Sequence, residues 1–254
     1  VAIFKFDGAS WNEQQILYNT SISEFGADLA LYNDTLFIGA PANNNNQGLI
    51  FEYTRSGTTW SLENTITTQT PVDGERFGQM LAYEPLTQTL VASSPYSDEI
   101  DTNNGSIHLF RKIDGVWVFE QRIIPVDAGN NDRVGNLALE VSANTIAFSS
   151  PDKNTNGEAW VYTRDNGVWS LEQKITPSDS GTDIDFGRRM QIQGNTLLAS
   201  ARRHSSAFGA FYIFTRNNGT WTERFIYTPP QAGTNDYFGD STYMNGDNIL
   251  SAAF

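Results

Sequence analysis

Four arginines are the first candidates for chemistry in this chain. Arg188 and Arg189 follow a Phe-Gly pair, and Arg202 and Arg203 directly precede His204. Guanidinium groups bind carboxylate, sulfate or phosphate through paired hydrogen bonds. We therefore predict that these five side chains contribute to a site for an anion or an acidic sugar. The alternative is that neighbouring aspartates neutralise the arginines.

Three carboxylates alternate in the loop before these arginines, at Asp179, Asp183 and Asp185. Calcium takes roughly six to eight oxygen ligands in proteins. Carboxylates this close in sequence supply several of them, and backbone carbonyls and water supply the rest. We therefore identify the loop as a candidate calcium site. The alternative is that the three aspartates are solvated turn residues.

A long loop at residues 96–104 carries an aromatic side chain with acidic neighbours. Tyr96 supplies contact area, and Asp98 and Asp101 supply hydrogen-bond acceptors. Tyrosine is enriched where proteins contact one another, so we predict that this loop contacts a protein or a glycan. An ordinary hydrophilic loop is the alternative.

Catalytic groups of the usual kinds are scarce. The chain has no cysteine and two histidines, and neither histidine has the spacing of a Ser-His-acid triad or of a metal site. His108 falls in a column of aromatic residues and is predicted to be structural. We therefore predict that the protein is not an enzyme. A glycan-active enzyme that uses two carboxylates, or an accessory domain of one, is the alternative.

The elements that position these residues recur as a repeat. Five of the six tryptophans lie about fifty residues apart, a period typical of solenoids and propellers. Because the five share one repeat position, we interpret them as packing residues. They are Trp11, Trp60, Trp117, Trp169 and Trp221.

Each repeat holds four apolar-alternating segments of about six residues, separated by turn residues, and no segment has a helical pattern. We therefore predict an all-β fold, a five-bladed β-propeller with four antiparallel strands in each blade. The chain is predicted to be a single domain over residues 1–254. The predicted blades span residues 25–66, 77–124, 134–175, 186–227, and 238–254 together with 1–17.

The two ends of the chain are complementary in this scheme. Segment 1–17 supplies the third and fourth strands of a blade, and segment 238–254 supplies the first and second. We predict that they pair and close the ring, which would remove free sheet edges. A part of a longer propeller is the alternative. In either case the long connections, from second to third strand and from blade to blade, share one face, which we call the long-loop face.

The repeats resemble the FG-GAP repeat family, which includes the propeller of integrin α-subunits and many secreted or surface-anchored microbial proteins. Phe25-Gly26 followed by Gly39-Ala40-Pro41 reproduces the name-giving motif. The resemblance implies a propeller outside the cell or on its surface that serves adhesion or ligand binding. Many family members hold calcium between the first two strands of a blade, but here those turns offer too few oxygen ligands.

Composition limits the partners. The net charge of −13 predicts no nucleic-acid partner, and no apolar run has the length that membrane insertion requires. In a eukaryotic secretory pathway four sequons would accept glycans: Asn19, Asn33, Asn104 and Asn218. We thus predict an extracellular or cell-surface module that binds a protein or a glycan without catalysis. A self-assembling structural subunit of a filament or surface layer is the alternative.

Overall fold

The computed structural model describes residues 1–179, 184–230 and 233–253. These residues form antiparallel sheets in which strand order follows the sequence. Four of the sheets have four strands each, and two have two strands. The predicted all-β architecture of four-stranded antiparallel units is therefore confirmed.

Each four-stranded sheet is called a blade, numbered I to IV in chain order. Blade I contains β3 (Leu29–Tyr32), β4 (Thr35–Ala40), β5 (Leu49–Ser56) and β6 (Thr59–Ile66), and blade II contains β7 (Leu81–Glu84), β8 (Thr89–Ser94), β9 (Ser106–Ile113) and β10 (Val116–Ile123). Blade III contains β11 (Leu139–Ser142), β12 (Thr145–Ser150), β13 (Glu158–Asp165) and β14 (Val168–Ile175). Blade IV contains β15 (Phe186–Gln193), β16 (Thr196–Ala201), β17 (Ala210–Asn217) and β18 (Thr220–Tyr227). The two-stranded sheets are β1 (Ala2–Phe6) with β2 (Trp11–Ile16), and β19 (Ser241–Asn245) with β20 (Asn248–Ala252).

Successive blades pack side by side through their first strands. The first strand of each blade contacts the first strand of the next, from β3 through β7 and β11 to β15. The core lies between successive blades, because each apolar cluster draws on two neighbours. One such cluster joins Phe37 and Ile50 of blade I to Leu81 and Leu90 of blade II.

Three connections between second and third strands contain short helical turns, although the sequence predicts no helix. These are α1 (Asn43–Asn46), a 3₁₀ turn (Lys153–Thr155) and α2 (His204–Ala207). Left-handed residues interrupt them, with φ angles of 50° at Asn44 and 53° at Ser205, so they are turns rather than regular helices. Among the described residues, none of the helices has the length and apolar character needed to cross a bilayer.

The repeated Phe-Gly pair has the same backbone conformation in successive blades. The residue before the pair and its glycine both have positive φ, with 58° at Arg76 and 85° at Gly78, and 55° at Asp185 and 85° at Gly187. A Cβ atom on Gly187 would lie 2.6 Å from the Cβ of Ser149 on the preceding blade. The glycine and the small second-strand residue therefore form one close contact between blades, which a larger side chain at either position would prevent.

The repeated tryptophans also join neighbouring blades. Trp169 Nε1 donates to Glu120 Oε2 of the preceding blade at 3.0 Å, and Trp221 Nε1 donates to Glu172 Oε2 at 2.9 Å. Both indole rings are buried, with 2% and 3% of their surface exposed. The interpretation of these residues as packing residues is confirmed at these positions.

The terminal hairpins do not pair with each other. Hairpin β1–β2 forms one two-stranded sheet and hairpin β19–β20 forms another. The predicted closure of the ring by segments 1–17 and 238–254 is therefore not observed over the part of the chain that the structure describes. Sequence complementarity identifies strands that are able to pair, but it does not fix how the intervening blades place the two hairpins relative to each other.

Each terminal hairpin is held by its adjacent blade instead. Gln15 Nε2 donates to Trp60 O at 3.0 Å, and Gln193 Nε2 donates to Met244 O at 2.7 Å. Trp169 and Trp221 are covered by the preceding blade, whereas Trp11 has no such cover within the described residues and is 70% exposed. The packing interpretation is wrong for this tryptophan.

Candidate functional site

The long connections lie on one face and are bonded to each other. Arg133 N donates to Asn103 O at 3.0 Å, which ties the second-to-third-strand loop of blade II to the blade-to-blade loop that follows. Tyr237 N bonds Ala207 O at 2.9 Å in the same way. Because these bonds satisfy the main chain and fix the loops, the long-loop face is a preorganised platform for side chains.

The structure brings the predicted arginine cluster together with two aspartates. Arg202 Nε lies 2.8 Å from Asp185 Oδ2, and Arg202 Nη1 lies 3.3 Å from Asp240 Oδ1. Arg188 reaches Asp240 at 3.2 Å, and Arg203 reaches Asp185 at 3.5 Å. The two carboxylates partly neutralise the three guanidinium groups, so an external anion would compete with them for these donors. The anion site stays a prediction.

Arg189 points elsewhere, toward the centre of the molecule. Its Nη1 donates to Leu137 O at 3.2 Å, and its charge acts on Asp28. Asp28 Oδ2 accepts a hydrogen bond from Leu81 N at 2.6 Å, but burial still raises the pKa of this carboxyl. Burial, and secondly the charge of Asp28, raise the pKa of Glu140 on β11 to about 8. Glu140 lies in the first strand of blade III, and Asp28 directly precedes the first strand of blade I. We call these two side chains the axial carboxyls.

The predicted ligand residue His204 belongs to a separate hydrogen-bonded group. His204 Nε2 lies 2.7 Å from Asp179 Oδ2, and the Tyr212 hydroxyl donates to Asp179 Oδ1 at 2.8 Å. His204 Nδ1 is buried and has no hydrogen-bond partner among the described residues. The arrangement anchors the loop before β15 to blade IV.

The candidate calcium ligands are engaged with different protein groups. Asp179 accepts from Tyr212 and contacts His204, whereas Asp185 contacts the arginine cluster. Asp183 lies outside the described residues. Within the described ranges, no three acidic or histidine side chains are grouped so that they could hold a metal ion. The calcium site stays a prediction.

Tyr96 lines a pocket of about 230 Å³ on the long-loop face. Guanidinium groups flank its ring, with Arg76 5.9 Å and Arg133 5.4 Å from the ring centroid. Cation–π contacts of this kind orient an aromatic side chain. We call this cavity the Tyr96 pocket, and its other lining residues are Val72, Asp73, Glu75, Ser97, Asp98 and Glu99.

The other predicted residues of this loop have different surroundings. Asp98 lines the pocket and accepts a hydrogen bond from Asn103 N at 2.6 Å. Asp101 lies outside it and accepts from Thr102 N at 3.1 Å. The sequence did not reveal Glu75, which is 2% exposed and whose pKa is raised by burial. A signal for Glu75 existed, because an acidic residue recurs two positions before the Phe-Gly pair or its variant in other repeats.

One of the four predicted glycosylation sites is inaccessible. Asn104 is fully buried, and its Nδ2 donates to Gly105 O at 2.9 Å. A glycan on Asn104 would not fit the packed surroundings of this side chain in the folded chain, and the four sequons stay predictions. Asn19, Asn33 and Asn218 are exposed.

Comparison with known proteins identifies the repeat. Residues 169–214 match the FG-GAP repeat, a segment that runs from the fourth strand of blade III through the third strand of blade IV. The predicted resemblance to FG-GAP repeats is therefore confirmed. No curated protein matches the chain.

Solved structures support the same fold. A protein from Lactobacillus plantarum is 13% identical with a TM-score of 0.60, and the match covers 87% of this chain and 61% of that one. A protein from Bacteroides uniformis, named as a putative 6-phosphogluconolactonase, is 13% identical with a TM-score of 0.55, and covers 77% of this chain and 52% of that one. The chain thus spans less than two thirds of either structure. One FG-GAP repeat is therefore matched at residues 169–214, and the four-stranded sheets of the chain are consistent with a β-propeller.

The prediction that the protein is not an enzyme is contradicted by the Bacteroides uniformis structure, because a propeller of similar fold bears the name of an enzyme. The scarcity of cysteine and histidine argues against thiol and triad chemistry. It leaves carboxyl-based chemistry open, and the axial carboxyls were not recognised from the sequence.

Proposed function

We propose that this propeller is a recognition module that binds a protein or a glycan at the long-loop face. The observation that carries the proposal is the Tyr96 pocket. Two guanidinium groups hold the tyrosine ring, while hydrogen bonds between the loops hold the walls. A preformed cavity with a fixed aromatic side chain and several polar groups is the usual form of a ligand site.

The lining of the pocket favours a partner rich in hydrogen-bond donors. Asp73, Asp98 and Glu99 give it an acidic rim, and the whole chain carries a net charge of −13. Sugar hydroxyls and basic protein side chains both satisfy such a rim. We further propose that the protein acts at the cell surface or outside the cell, where FG-GAP propellers that resemble it serve adhesion.

Binding of the purified chain to a glycan and matrix-protein array tests the proposal. Tyr96→Ala should abolish the strongest signal, whereas Leu86→Ala should not change it. Leu86 is a matched control because it is 88% exposed on the turn between β7 and β8, at the opposite face of the same blade. Running the array with calcium and with EDTA shows whether the calcium prediction at Asp179, Asp183 and Asp185 applies. No binding in either condition, or equal effects of the two variants, would overturn the proposal.

The axial carboxyls favour a second function, hydrolysis of a lactone. The pKa of Glu140 is raised to about 8, which suits a group that exchanges protons near neutral pH. In lactone hydrolysis the water oxygen bonds to the carbonyl carbon and the ring C–O bond breaks. The ionised carboxylate would take a proton from the water and return it to the leaving oxygen.

A pH-stat assay with 6-phosphogluconolactone and simple lactones tests this second function. Turnover should rise with pH toward about 8, where Glu140 ionises, and Glu140→Gln should abolish it. Glu63→Gln, on the exposed side of β6, is the control. Absence of turnover, or turnover that persists in Glu140→Gln, would exclude this role.

A further inference from the structure

A second cavity of about 220 Å³ opens beside the Tyr96 pocket and has no role in what has been described. We call it the His108 pocket; its lining residues are Thr68, Gln69, Thr70, His108, Phe119 and Arg122. Two contacts separate the cavities, because Thr68 Oγ1 donates to Glu75 Oε1 at 3.0 Å and Arg122 pairs with Glu99. One water occupies roughly 30 Å³ in the liquid, so the cavity has room for an organic molecule.

The cavity exists because one repeat departs from the others. The position of His108 in the third strand is taken by Phe51, Trp160 and Tyr212 in the other blades. Those rings are buried in their blades, at 6%, 1% and 0% exposure. Imidazole is smaller than any of them and carries two polar nitrogens. Blade II therefore has both free space and hydrogen-bonding capacity at a position that is filled elsewhere.

The hydrogen bonds around His108 are compatible with a neutral imidazole that is protonated on Nδ1. Ser97 Oγ donates to Ser106 Oγ at 2.9 Å, and Ser106 Oγ lies 3.1 Å from His108 Nε2. Ser106 Oγ keeps a proton of its own after accepting from Ser97, and it can donate that proton to His108 Nε2. Burial, and secondly the charge of Arg122, lower the pKa of His108 to about 3, so the ring is neutral. When Ser106 donates to Nε2, the single proton of the neutral ring is on Nδ1.

The Nδ1–H group is a donor without a protein partner among the described residues. His108 is 1% exposed, and it borders the cavity. A donor that borders a cavity is available to a ligand or to water. Gln69 and Thr70 add an amide and a hydroxyl, and Phe119 adds an apolar wall. This combination fits a molecule with several hydroxyl groups and a non-polar face.

The charges nearby select against an anion. The guanidinium of Arg122 is paired with Glu99, and Glu75 lies behind Thr68, so the surroundings carry no excess positive charge. We propose that the His108 pocket binds one neutral sugar unit, with Nδ1–H of His108 donating to a sugar oxygen and Phe119 packing against a ring face. The inference rests on the proposed function, which it deepens by naming the ligand class and a subsite.

Two histidines in the chain make a direct test practical. Labelling with ¹⁵N-histidine gives two imidazole spin systems, and protonated and unprotonated ring nitrogens have well-separated shifts. Titration with methyl glycosides of glucose, galactose, mannose and N-acetylglucosamine should shift Nδ1 of His108 with at least one of them. His204 is the internal reference and should not move. A His108 spectrum that shows the other tautomer, or no shift with any sugar, would overturn the inference.

Two variants separate binding from folding. His108→Phe places the residue of blade I in the cavity and should weaken binding of the active glycoside by tenfold or more; loss of one hydrogen bond alone corresponds to about fivefold. Gln69→Ala, in a loop, should weaken it by about threefold to fivefold. If both variants bind the active glycoside as tightly as wild type, the sugar binds elsewhere and the proposal is wrong.

The outcomes distinguish this inference from the broader function. If wild type and His108→Phe bind the array ligand equally well and no glycoside shifts His108, the sugar subsite is excluded and the recognition function stands. If the chain binds nothing on the array but a glycoside shifts the His108 resonances, the proposed recognition of a macromolecule is excluded and the sugar subsite stands.

Discussion

Gln121 on blade II bonds both backbone polar groups of Trp169 on blade III. Its Nε2 donates to Trp169 O at 2.9 Å, and its Oε1 accepts from Trp169 N at 3.0 Å. A side-chain amide therefore continues the hydrogen bonding from the outer strand of one blade to that of the next. The same two-bond contact joins Gln15 to Trp60 and Gln173 to Trp221.

Replacing this amide should loosen one junction between blades. We expect Gln121→Ala to lower the free energy of unfolding by about 2 kcal/mol, because two hydrogen bonds are lost at a partly buried position. Urea denaturation, monitored by tryptophan fluorescence, measures this change in the free energy of unfolding. Ser170→Ala, an exposed position on β14, is the control and should stay within about 0.5 kcal/mol of wild type. Equal effects in the two variants would show that the amide contact contributes nothing.

The close approach of successive blades should make Gly157 irreplaceable. A Cβ atom there would lie 2.2 Å from Phe186 O, and φ is 83°. Gly115 has a similar φ of 81° but nothing within 4 Å of its added Cβ. Left-handed backbone alone costs a non-glycine residue about 1–2 kcal/mol. Gly115→Ala should show only that cost in thermal unfolding, while Gly157→Ala should lose at least twice as much. A smaller loss at Gly157 would mean that the blades separate easily.

Glu52 is a buried acceptor for three donors from two blades. It accepts from Lys112 Nζ at 2.7 Å, from Trp117 Nε1 at 2.8 Å and from Asn64 Nδ2 at 2.7 Å, and it is 1% exposed. Glu52→Ala should cost about 3 kcal/mol or more, because it leaves an ammonium group without its partner.

The control for Glu52 is Glu63→Ala on the exposed side of the neighbouring strand β6. Chemical denaturation of both variants at neutral pH gives the comparison. A cost at Glu52 no greater than that at Glu63 would show that water replaces the carboxylate without penalty.

Glu140 should make stability fall as the pH rises. Its pKa in the folded chain is about 8 against an ordinary value of 4.5, so between these values the folded state holds a proton that the unfolded state has lost. The free energy of unfolding therefore decreases through this window, by up to about 1.4 kcal/mol per pH unit from this one group. The contribution levels off above pH 8.

Glu140→Gln removes that titration. In urea denaturation at several pH values from 5 to 9, the variant should lose less stability than wild type as the pH rises, and should be the more stable of the two at the alkaline end. Parallel pH profiles for the two proteins would show that Glu140 titrates normally in the folded chain.

Much of the scaffold was predictable because the same sequence pattern recurs in each repeat. Asp-Gly and Asn-Gly pairs are strong signals of a hairpin turn, and both residues of Asp114-Gly115 and of Asn166-Gly167 have positive φ. The glutamine contact was missed, although a glutamine follows the tryptophan by four positions in three repeats. Its partner lies on another blade, and a repeat pattern alone does not show which side chains cross that junction.

Features that occur once were harder to predict. Glu140 occupies a position that Ala30 and Ala82 fill in other blades, so the sequence shows a lone carboxyl without its surroundings. Its pKa depends on burial and on Asp28, two blades away. The two pockets depend likewise on the relative placement of loops, which sequence spacing does not fix.

Each glutamine–tryptophan contact, at three of the junctions, couples one blade or hairpin only to the adjoining blade. Coupling of this kind acts between nearest neighbours. A defect in one blade therefore weakens its two junctions and leaves distant blades intact. If the ends were drawn apart in an optical trap, blades would detach in succession from the outside inward. Each step would release about 50 residues, or roughly 170 Å of extended chain. The unfolding force would then be set by the weakest junction between blades, whatever the free energy of unfolding of the whole chain.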